Sequence, residues 1–388
     1  MRLRFRMRLA AVGLAVLFLG GCQTVGGWFN RDESLPPAEL INFQTTLGVE
    51  ELWSNRVVDE LGRARPSILP FYSNDQIWVA DKSGRIAGVD AQTGRVRTTI
   101  ETGLAISAGP VVIGEQVLVG TFEGQVVLLD QRSGSEVWRS RVSSEVLAAP
   151  LVADGKVVVR VLDGRLYGFD LRTGERNWVY DRPVPLLTLR GNSAPIARAG
   201  RVYVGYDDGV VIALRIDDGS TVWEQRVSEP EGRTELERMT DIDGPMVIVG
   251  TELYVVTYKG RMASLAVESG RLLWVKEISA EQGLSLRRTA LAATDKEDAI
   301  WLVDRRNSTT LWREDGLARR NVSRPVFYND YVVVTDFEGY MHWLESDSGT
   351  FVARKRFGGD AAAATLVVGN TLYVFDVKGR LSAWQANP

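Results

Sequence analysis

Residues that build most catalytic and metal sites are scarce in this sequence of 388 residues, which has one cysteine and one histidine. A single cysteine excludes an intramolecular disulfide, and Cys22 with His342 is too small a set for a zinc site. The motifs GxSxG, CxxC and HExxH and the phosphate-binding loop are also missing. A general base needs a positioned partner, so His342 is predicted to be a packed strand residue. We therefore expect no catalytic residue, no bound metal and no cofactor.

A basic tract is absent too. Lys and Arg total 46 against 49 Asp and Glu, which gives a formal net charge of -3. Binding of nucleic acid needs clustered cations opposite the phosphates, so the sequence argues against a nucleic-acid partner. Its 45% apolar and 24% charged content is that of a folded globular protein rather than a disordered chain.

The N-terminus has the features of a targeting segment. Four of the first eight residues are arginines, and an apolar run of thirteen residues follows from Leu9 to Gly21, directly before Cys22. That run is shorter than the about 20 residues of a membrane-spanning helix, and it is typical of a secretory signal peptide. One alternative is an ordinary signal peptide that happens to precede an unrelated cysteine.

Residues 19–22 (LGGC) resemble the lipobox of bacterial lipoproteins. The resemblance implies cleavage before Cys22 and lipid on its thiol and on its new amine, and several acyl chains anchor a protein firmly. In that family an aspartate after the cysteine commonly retains the protein at the inner membrane, so Gln23 suggests the outer membrane of a Gram-negative bacterium. We predict a signal peptide at 1–21 and a lipidated tether at 22–45.

The remainder of the chain repeats one motif with a period of about 40 residues. The motif is a glycine, an aspartate or a substitute six residues later, a second glycine after four more, and a tryptophan after another four, as in 122–138 and 162–178. The first glycine recurs at Gly84, Gly124, Gly164, Gly209, Gly260, Gly339 and Gly379, with Asp298 in its place once. Each unit has the pattern of four short strands separated by Glu-Gly, Asp-Gly or Thr-Gly turns, with no helical period.

Eight such units predict an all-β fold, an eight-bladed β-propeller over residues 46–388. The eighth unit, 365–388, has only three strands, whereas 51–57 (ELWSNRV) resembles a fourth strand that precedes the first unit. Pairing of this N-terminal strand with the last blade would close the ring and remove its open edges. The repeated tryptophans, including Trp53, are expected to pack over the next blade. A ring of aromatic ligand sites is the alternative, which the spacing does not support.

GFDLRTGERNW (168–178) resembles the tryptophan-docking motif of quinoprotein dehydrogenases, eight-bladed propellers that use pyrroloquinoline quinone. The resemblance makes an oxidoreductase the alternative function. Two features count against it: the chain has no adjacent cysteine pair, which many alcohol-oxidising members have, and its short connections leave little material for a quinone pocket.

Over essentially its whole length the chain is similar to the BamB family, lipoproteins of the outer-membrane β-barrel assembly machinery. Segments 186–195 (LLTLRGNSAP) and 237–247 (ERMTDIDGPMV) match stretches with which that family docks on BamA, the central barrel protein with periplasmic POTRA domains. The family's docking residues correspond to Leu187, Leu189, Arg190, Asp241 and Asp243. The resemblance also implies other lipoproteins of the machinery as partners. Separately, the exposed edges of the outer strands suggest binding of unfolded barrel precursors by strand addition, a weaker expectation because every propeller has such edges.

The spacing of the repeat singles out the same two segments. Steps between the repeated glycines are near 40 residues, except for steps of 45 and 51 on either side of Gly209. The extra residues lie in 183–191 and 228–243, which join the outer strand of one blade to the inner strand of the next, and propellers commonly carry insertions on a binding face. We expect Asp241 or Asp243 to orient Arg190 beside exposed leucines. The alternatives are leucines that begin a buried inner strand and acidic residues of a solvated loop.

The sequence thus predicts a non-catalytic scaffold lipoprotein on the periplasmic face of the outer membrane. It would bind the POTRA region of BamA and aid the insertion of β-barrel proteins. A periplasmic quinone-dependent oxidoreductase and a lipoprotein that binds cell-wall polymer are the alternatives from other functional classes.

Overall fold

The structure is a computed structural model that describes residues 35–61, 68–185, 193–234, 237–359 and 364–387. The chain divides into two compact units, Met1–Pro37 and Ala38–Pro388. In the described part of the second unit every regular element is a β-strand, and the described residues contain no helix that could cross a membrane. The fold is all-β, as the repeat pattern predicts.

The described strands are grouped in eight four-stranded antiparallel sheets, each of which is one blade of a propeller. The first strand along the chain, β1 (Gly48–Arg56), belongs to blade 8. Blades 1 to 4, each from its inner to its outer strand, are β2 (Phe71–Ser73), β3 (Gln76–Ala80), β4 (Arg85–Asp90), β5 (Val96–Glu101); β6 (Ile106–Ile113), β7 (Gln116–Thr121), β8 (Gln125–Asp130), β9 (Glu136–Arg141); β10 (Leu151–Ala153), β11 (Lys156–Arg160), β12 (Leu166–Asp170), β13 (Arg176–Tyr180); and β14 (Ile196–Arg198), β15 (Arg201–Gly205), β16 (Val210–Arg215), β17 (Thr221–Arg226).

Blades 5 to 8 follow the same order. They are β18 (Val247–Val249), β19 (Glu252–Val256), β20 (Met262–Ala266), β21 (Leu272–Lys276); β22 (Leu284–Arg287), β23 (Ala290–Thr294), β24 (Ile300–Asp304), β25 (Thr310–Glu314); β26 (Val326–Tyr328), β27 (Tyr331–Thr335), β28 (Tyr340–Glu345), β29 (Phe351–Arg356); and β30 (Ala364–Val368), β31 (Thr371–Phe375), β32 (Arg380–Asn387), completed by β1.

The ring closes through the N-terminal strand. β1 lies antiparallel to β32, with Gly48 opposite Asn387, and the sheet order β1-β32-β31-β30 makes β1 the outer strand of blade 8. Just beyond β1, the Leu61 N–H donates to the Val377 carbonyl at 2.8 Å. The predicted eight blades and the predicted closure are both confirmed.

Burial within a blade explains the composition of its strands. The second and third strands lie between neighbouring blades and are buried on both faces, so they are almost continuous apolar runs, such as VVLL in β8. Outer strands alternate instead: β13 exposes Arg176 and Asn177 and buries Trp178. The core is therefore a set of layers between blades.

In most blades, the turn before the outer strand receives a tryptophan of the preceding blade. In blade 3, Asp170 Oδ1 accepts hydrogen bonds from the N–H groups of Arg172 and Thr173 at 3.0 and 2.9 Å, which shapes the turn. Gly174 follows with a φ of +70°, and a Cβ there would lie 2.5 Å from the ring of Trp138 in blade 2. Only glycine meets both conditions, the left-handed backbone and the close approach of the ring.

Six tryptophans of the described chain join neighbouring blades in the same way. Trp138 Nε1 donates to the Leu171 carbonyl of the next blade at 2.8 Å. Equivalent bonds of 2.7 to 3.2 Å are made by Trp53, Trp178, Trp223, Trp274 and Trp312. The tryptophans are packing residues, and Trp53 shows that the closing strand joins its neighbour as the other blades do.

The propeller unit begins earlier than residue 46. The Ala38 N–H donates to the Ala318 carbonyl at 2.9 Å, and the Phe43 ring stacks on the Phe351 ring with 5.7 Å between centres. Leu40 and Phe43 cover the hydrophobic core between blades 6 and 7. Within the expected tether at 22–45, residues 38–45 belong to the propeller unit, and Leu40 and Phe43 pack on the ring. The predicted signal peptide and Cys22 lie outside the described residues.

Deletion of residues 1–60 removes β1 and leaves β32 with an open edge. We expect the remaining chain to lose its single cooperative unfolding transition, because one junction of the ring is no longer held. Calorimetry against a chain that lacks only residues 1–34, and so keeps β1, measures the effect. One unchanged transition at the same temperature in the longer deletion would contradict closure by β1.

Candidate docking site on the linker face

Antiparallel strands alternate in direction, so each face of the propeller holds two kinds of connection. One face holds the turns between second and third strands, together with the links from the outer strand of one blade to the inner strand of the next. We call it the linker face. The links before and after blade 4, residues 181–195 and 227–246, are the longest, and both start and end there.

Ile242 anchors the link that follows blade 4. Its side chain is fully buried, and a Cβ placed on Gly205 at the end of β15 would lie 2.3 Å from it. The Ile242 N–H donates to the Tyr206 carbonyl at 3.2 Å, and the Asp241 carbonyl accepts from the Tyr258 N–H of blade 5 at 2.8 Å. The residues on either side of Ile242 are therefore held in place above the junction of blades 4 and 5.

Three carboxylates meet at this junction. Asp241 and Asp243 flank Ile242, and Asp207 belongs to the turn between β15 and β16. One carboxylate oxygen of each lies within 4.8 Å of the other two, and we call these residues the acidic cluster. Asp207 and Asp241 are buried and Asp243 is half-buried. Carboxylates this close repel one another unless cations lie among them.

Arg160 supplies one of these cations. It is the last residue of β11 in blade 3, it is fully buried, and its Nη2 donates to Asp207 Oδ1 at 2.5 Å. Removing one partner of such a buried pair costs about 3–5 kcal/mol because the other charge is left without compensation. The Arg160 guanidinium also lies 4.9 Å from the centre of the Tyr206 ring, a cation–π distance.

The link that precedes blade 4 is connected to the same residues through Arg182. Its guanidinium lies 5.4 Å from the centre of the Tyr206 ring and forms ion pairs with Asp208 at 2.7 Å and Glu224 at 3.1 Å. Burial raises the pKa of the Tyr206 hydroxyl, which keeps it neutral. One network of charges thus joins blade 3, blade 4 and the start of this link.

Asp243 is the least satisfied member of the acidic cluster. Both of its carboxylate oxygens are shielded from solvent, and neither has a hydrogen-bond partner among the described residues. Burial raises the pKa of Asp243 well above its usual range, and the charges of Asp207 and Asp241 raise it further. A guanidinium or ammonium group brought to Asp243 would relieve this cost, so the cluster suits a cationic group. Oxygen ligands of this kind also suit a hard metal cation, but Arg160 already occupies one side of the cluster.

Two of the predicted partner-binding residues, Asp241 and Asp243, therefore lie together on the linker face. Leu187, Leu189 and Arg190 fall outside the described residues, so the orientation of Arg190 by an aspartate stays a prediction. The alternative of a solvated acidic loop fits only the first part of the link. Glu231 is exposed there, whereas the link is buried from Met239 to Ile242.

Arg160 and Asp207 were not among the predicted residues, although the repeat contains a signal for them. Arg160 ends the second strand of its blade. The residues at the same register in the other blades are uncharged: Ala80, Gly120, Gly205, Val256, Thr294, Thr335 and Phe375. A charge inside the apolar run VVVRV must find a buried partner. Alignment of the blades against one another would have marked Arg160, and the Asp-Asp-Gly turn one blade further on would have suggested the partner.

The fold defines the class of protein as an eight-bladed propeller of the quinoprotein-like type, here with a buried charged cluster on its linker face. A solved quinohemoprotein alcohol dehydrogenase from Comamonas testosteroni superposes with a TM-score of 0.69, over 87% of this chain and 76% of that chain. The identity is 13%, so this likeness shows the fold alone.

Comparison with more similar proteins identifies the family. The family model described as Outer membrane protein assembly factor BamB matches residues 99–314. A protein of that name from Pseudomonas aeruginosa is 45% identical over 383 residues, 97% of each chain. The crystal structure of BamB from Moraxella catarrhalis matches with a TM-score of 0.79 and 27% identity, over 87% of this chain and 100% of that chain. The chain belongs to the BamB family, which confirms the resemblance seen in the sequence.

Replacement of Asp243 by Asn should stabilise the isolated propeller. The raised pKa means that the native state holds a proton that the unfolded chain releases above about pH 4, so this group lowers stability as the pH rises. We expect Asp243→Asn to add about 1–3 kcal/mol to the free energy of unfolding at pH 7.5, and less near pH 4. Thermal unfolding at both pH values measures this, with Glu231→Gln in the exposed part of the same link as control. Equal stability of wild type and Asp243→Asn at pH 7.5 would contradict an uncompensated carboxylate.

Proposed function

We propose that this chain is a non-catalytic scaffold lipoprotein of the outer-membrane protein assembly complex. It binds the periplasmic POTRA region of BamA through the linker face beside blade 4, and so aids the insertion of β-barrel proteins into the outer membrane. Membership of the BamB family, whose relatives are named outer membrane protein assembly factors, supports the general role. Other lipoproteins of the assembly machinery are further expected partners.

The acidic cluster is the observation that supports the partner site most. A cationic group at Asp243 would form charge-assisted hydrogen bonds with a carboxylate that has none within the described chain. Arg190 is the predicted group, and a basic side chain of the partner fits the same position. Leu187 and Leu189 would add apolar area beside the charges, a composition typical of interface hot spots.

The position of His342 supports a role without catalysis. His342 is fully buried in β28 and hydrogen-bonds to Asp336 and Arg354. A general base must reach a proton on its substrate, and an imidazole enclosed by protein does not. The chain has no second histidine.

A lipid anchor on Cys22 is the second part of the proposal. It would hold the propeller at the periplasmic face of the outer membrane, close to the membrane-embedded partner. Tethering raises the effective concentration of the propeller near that partner, so a small interface on the linker face suffices.

The outer strands offer a weaker surface for unfolded barrel precursors. Leu52, Val137 and Leu311 are apolar side chains on outer strands, with exposed fractions of 43, 44 and 51%. An extended chain can add to such an edge strand through main-chain hydrogen bonds. Every propeller has edges of this kind, so precursor binding ranks second to the POTRA site.

Arg190→Ala should weaken binding to the purified POTRA domains of BamA by about 1–3 kcal/mol, roughly a 5- to 150-fold increase in Kd. Asp243→Asn should weaken binding as well, although it stabilises the free propeller, because an amide cannot ionise to pair with the cation as the carboxyl group can. Isothermal titration calorimetry measures both variants. Glu123→Gln, at an exposed carboxylate in the linker-face turn of blade 2, is the matched control and should bind as wild type. Wild-type affinity in both Arg190→Ala and Asp243→Asn would overturn the site.

The fold shared with the quinohemoprotein alcohol dehydrogenase makes a quinone-dependent oxidoreductase the second candidate. Incubation with pyrroloquinoline quinone and Ca²⁺, followed by gel filtration and absorption spectroscopy, separates the two functions. We expect no chromophore to remain with the protein. Stoichiometric retention, together with alcohol-dependent dye reduction, would replace the scaffold with an enzyme.

A further inference from the structure

Residues 38–47 form a strap along blade 7, immediately before β1 closes the ring. At the end of the strap, the N–H groups of Thr46 and Leu47 both point to the Val352 carbonyl of β29, at 3.0 and 3.2 Å. Blade 7 has Ala353 where most blades have the joining tryptophan. The strap therefore covers an outer strand that lacks this bulky residue.

Two arginines hold the backbone of the strap. Arg320 Nη1 donates to the Ala38 carbonyl at 3.0 Å, and Arg354 Nη1 donates to the Ile41 carbonyl at 3.0 Å. The Arg354 guanidinium also lies 5.0 Å from the centre of the Phe43 ring. The closed position of the strap thus depends on where these two guanidinium groups are held.

His342 positions Arg354. Its Nδ1 accepts a hydrogen bond from Arg354 Nε at 3.2 Å, and its Nε2 lies 3.0 Å from Asp336 Oδ2, while Tyr340 and Phe351 pack around the ring. A guanidinium only donates, so Nδ1 must be without a proton, and Nε2 must carry the proton that it donates to Asp336. The geometry therefore requires a neutral imidazole.

The charged side chains around His342 sum to zero when its imidazole is neutral. Arg320 pairs with Asp336 at 2.8 Å and with Glu338, whereas Arg354 forms no ion pair with a described residue. Two carboxylates and two guanidinium groups leave no net charge in this cluster. Burial lowers the pKa of His342, and the positive charges of Arg354 and Arg320 lower it further against the opposing effect of Asp336.

We propose that the strap is a latch that opens when His342 is protonated. A proton on Nδ1 faces the Nε–H of Arg354, which removes their hydrogen bond and sets two cations against each other. Arg354 turns away from the imidazolium, and the strap loses the bond at Ile41 and the cation contact at Phe43. The histidine acts through Arg354 and is a positioning residue.

The direction of the pH effect follows from proton linkage. With the strap open, His342 is less buried and no longer faces Arg354, so its pKa rises towards the ordinary histidine value, and opening takes up a proton in the window between the pKa values of the closed and open forms. The open population is smallest above this window and rises up to tenfold per pH unit as the pH falls through it. Below the window it levels off.

Opening adds ten residues to the chain between the propeller and its N-terminus, at most about 35 Å of extended backbone. In a chain anchored at Cys22, which rests on the proposed function, the linker face could then lie further from the membrane. The latch itself needs neither the anchor nor a partner, so its test is independent of the docking site.

Hydrogen exchange of the full-length acylated chain in detergent micelles, measured between pH 8 and pH 5 without a partner, tests the latch. After correction for intrinsic rates, exchange of the hydrogen-bonded amides of Ala38, Thr46 and Leu47 should accelerate up to tenfold per pH unit below about pH 6.5, while exchange in β21 stays unchanged. Exchange of the imidazole C2 hydrogen in the same samples reports the pKa of His342, which should lie below 6.5.

His342→Gln is the decisive variant, because glutamine can donate to Asp336 and accept from Arg354 but does not titrate. It should keep the strap protected at every pH. Phe43→Ala should raise amide exchange of the strap at all pH values and retain its pH dependence. This variant provides a second test if His342→Gln does not fold. Strap exchange that is pH-independent in both wild type and Phe43→Ala, or equally pH-dependent in His342→Gln, overturns the latch.

Discussion

The pairing of β1 with β32 is the interaction on which the other features depend, because it joins the two ends of the folded chain across about 330 residues. Each blade buries its central strands only against its neighbours, so a ring with one open junction would expose two apolar faces. The Trp53 contact to blade 1 and the closing strand complete the last layer. Closure also brings the residues before β1 against blade 7, which is why a strap exists there.

In the site beside blade 4, carboxylates lie closer together than favourable electrostatics would allow. The link after blade 4 is fixed by Ile242 over Gly205, and this places Asp241 and Asp243 against Asp207. Arg160 pairs with Asp207, whereas Asp243 has no hydrogen-bond partner among the described residues. A protein that keeps shielded carboxylates close together at one sector of one face gives up stability there, as expected where a surface is selected for binding. The repeat supplies a rigid ring, and the unequal links distinguish one sector from the others.

Much of the fold can be predicted from the sequence because each blade of a propeller repeats the same sequence motif. The Gly, Asp and Trp positions mark turns and blade junctions, so the blades and the role of Trp53 could be predicted from spacing alone. The start of the packed region could not, because Leu40 and Phe43 precede the repeat and follow no period. The role of Arg160 could not be predicted because its partner, Asp207, lies in the next blade. Only the register of the sheets shows which residues face each other across that junction. The cluster of Asp241 and Asp243 was predicted from resemblance and from the long link, whereas their burial depends on Ile242 and Gly205 and needed the structure.

The central claim is that the linker face beside blade 4 is where the partner binds. Hydrogen-exchange footprinting of the complex with the POTRA domains of BamA tests it most directly. The account predicts slower amide exchange in the two links that flank blade 4 and in the turn that holds Asp207, with the outer strands and the opposite face unchanged. Protection confined to the outer strands or to the opposite face, with both links exchanging as in the free protein, would contradict it.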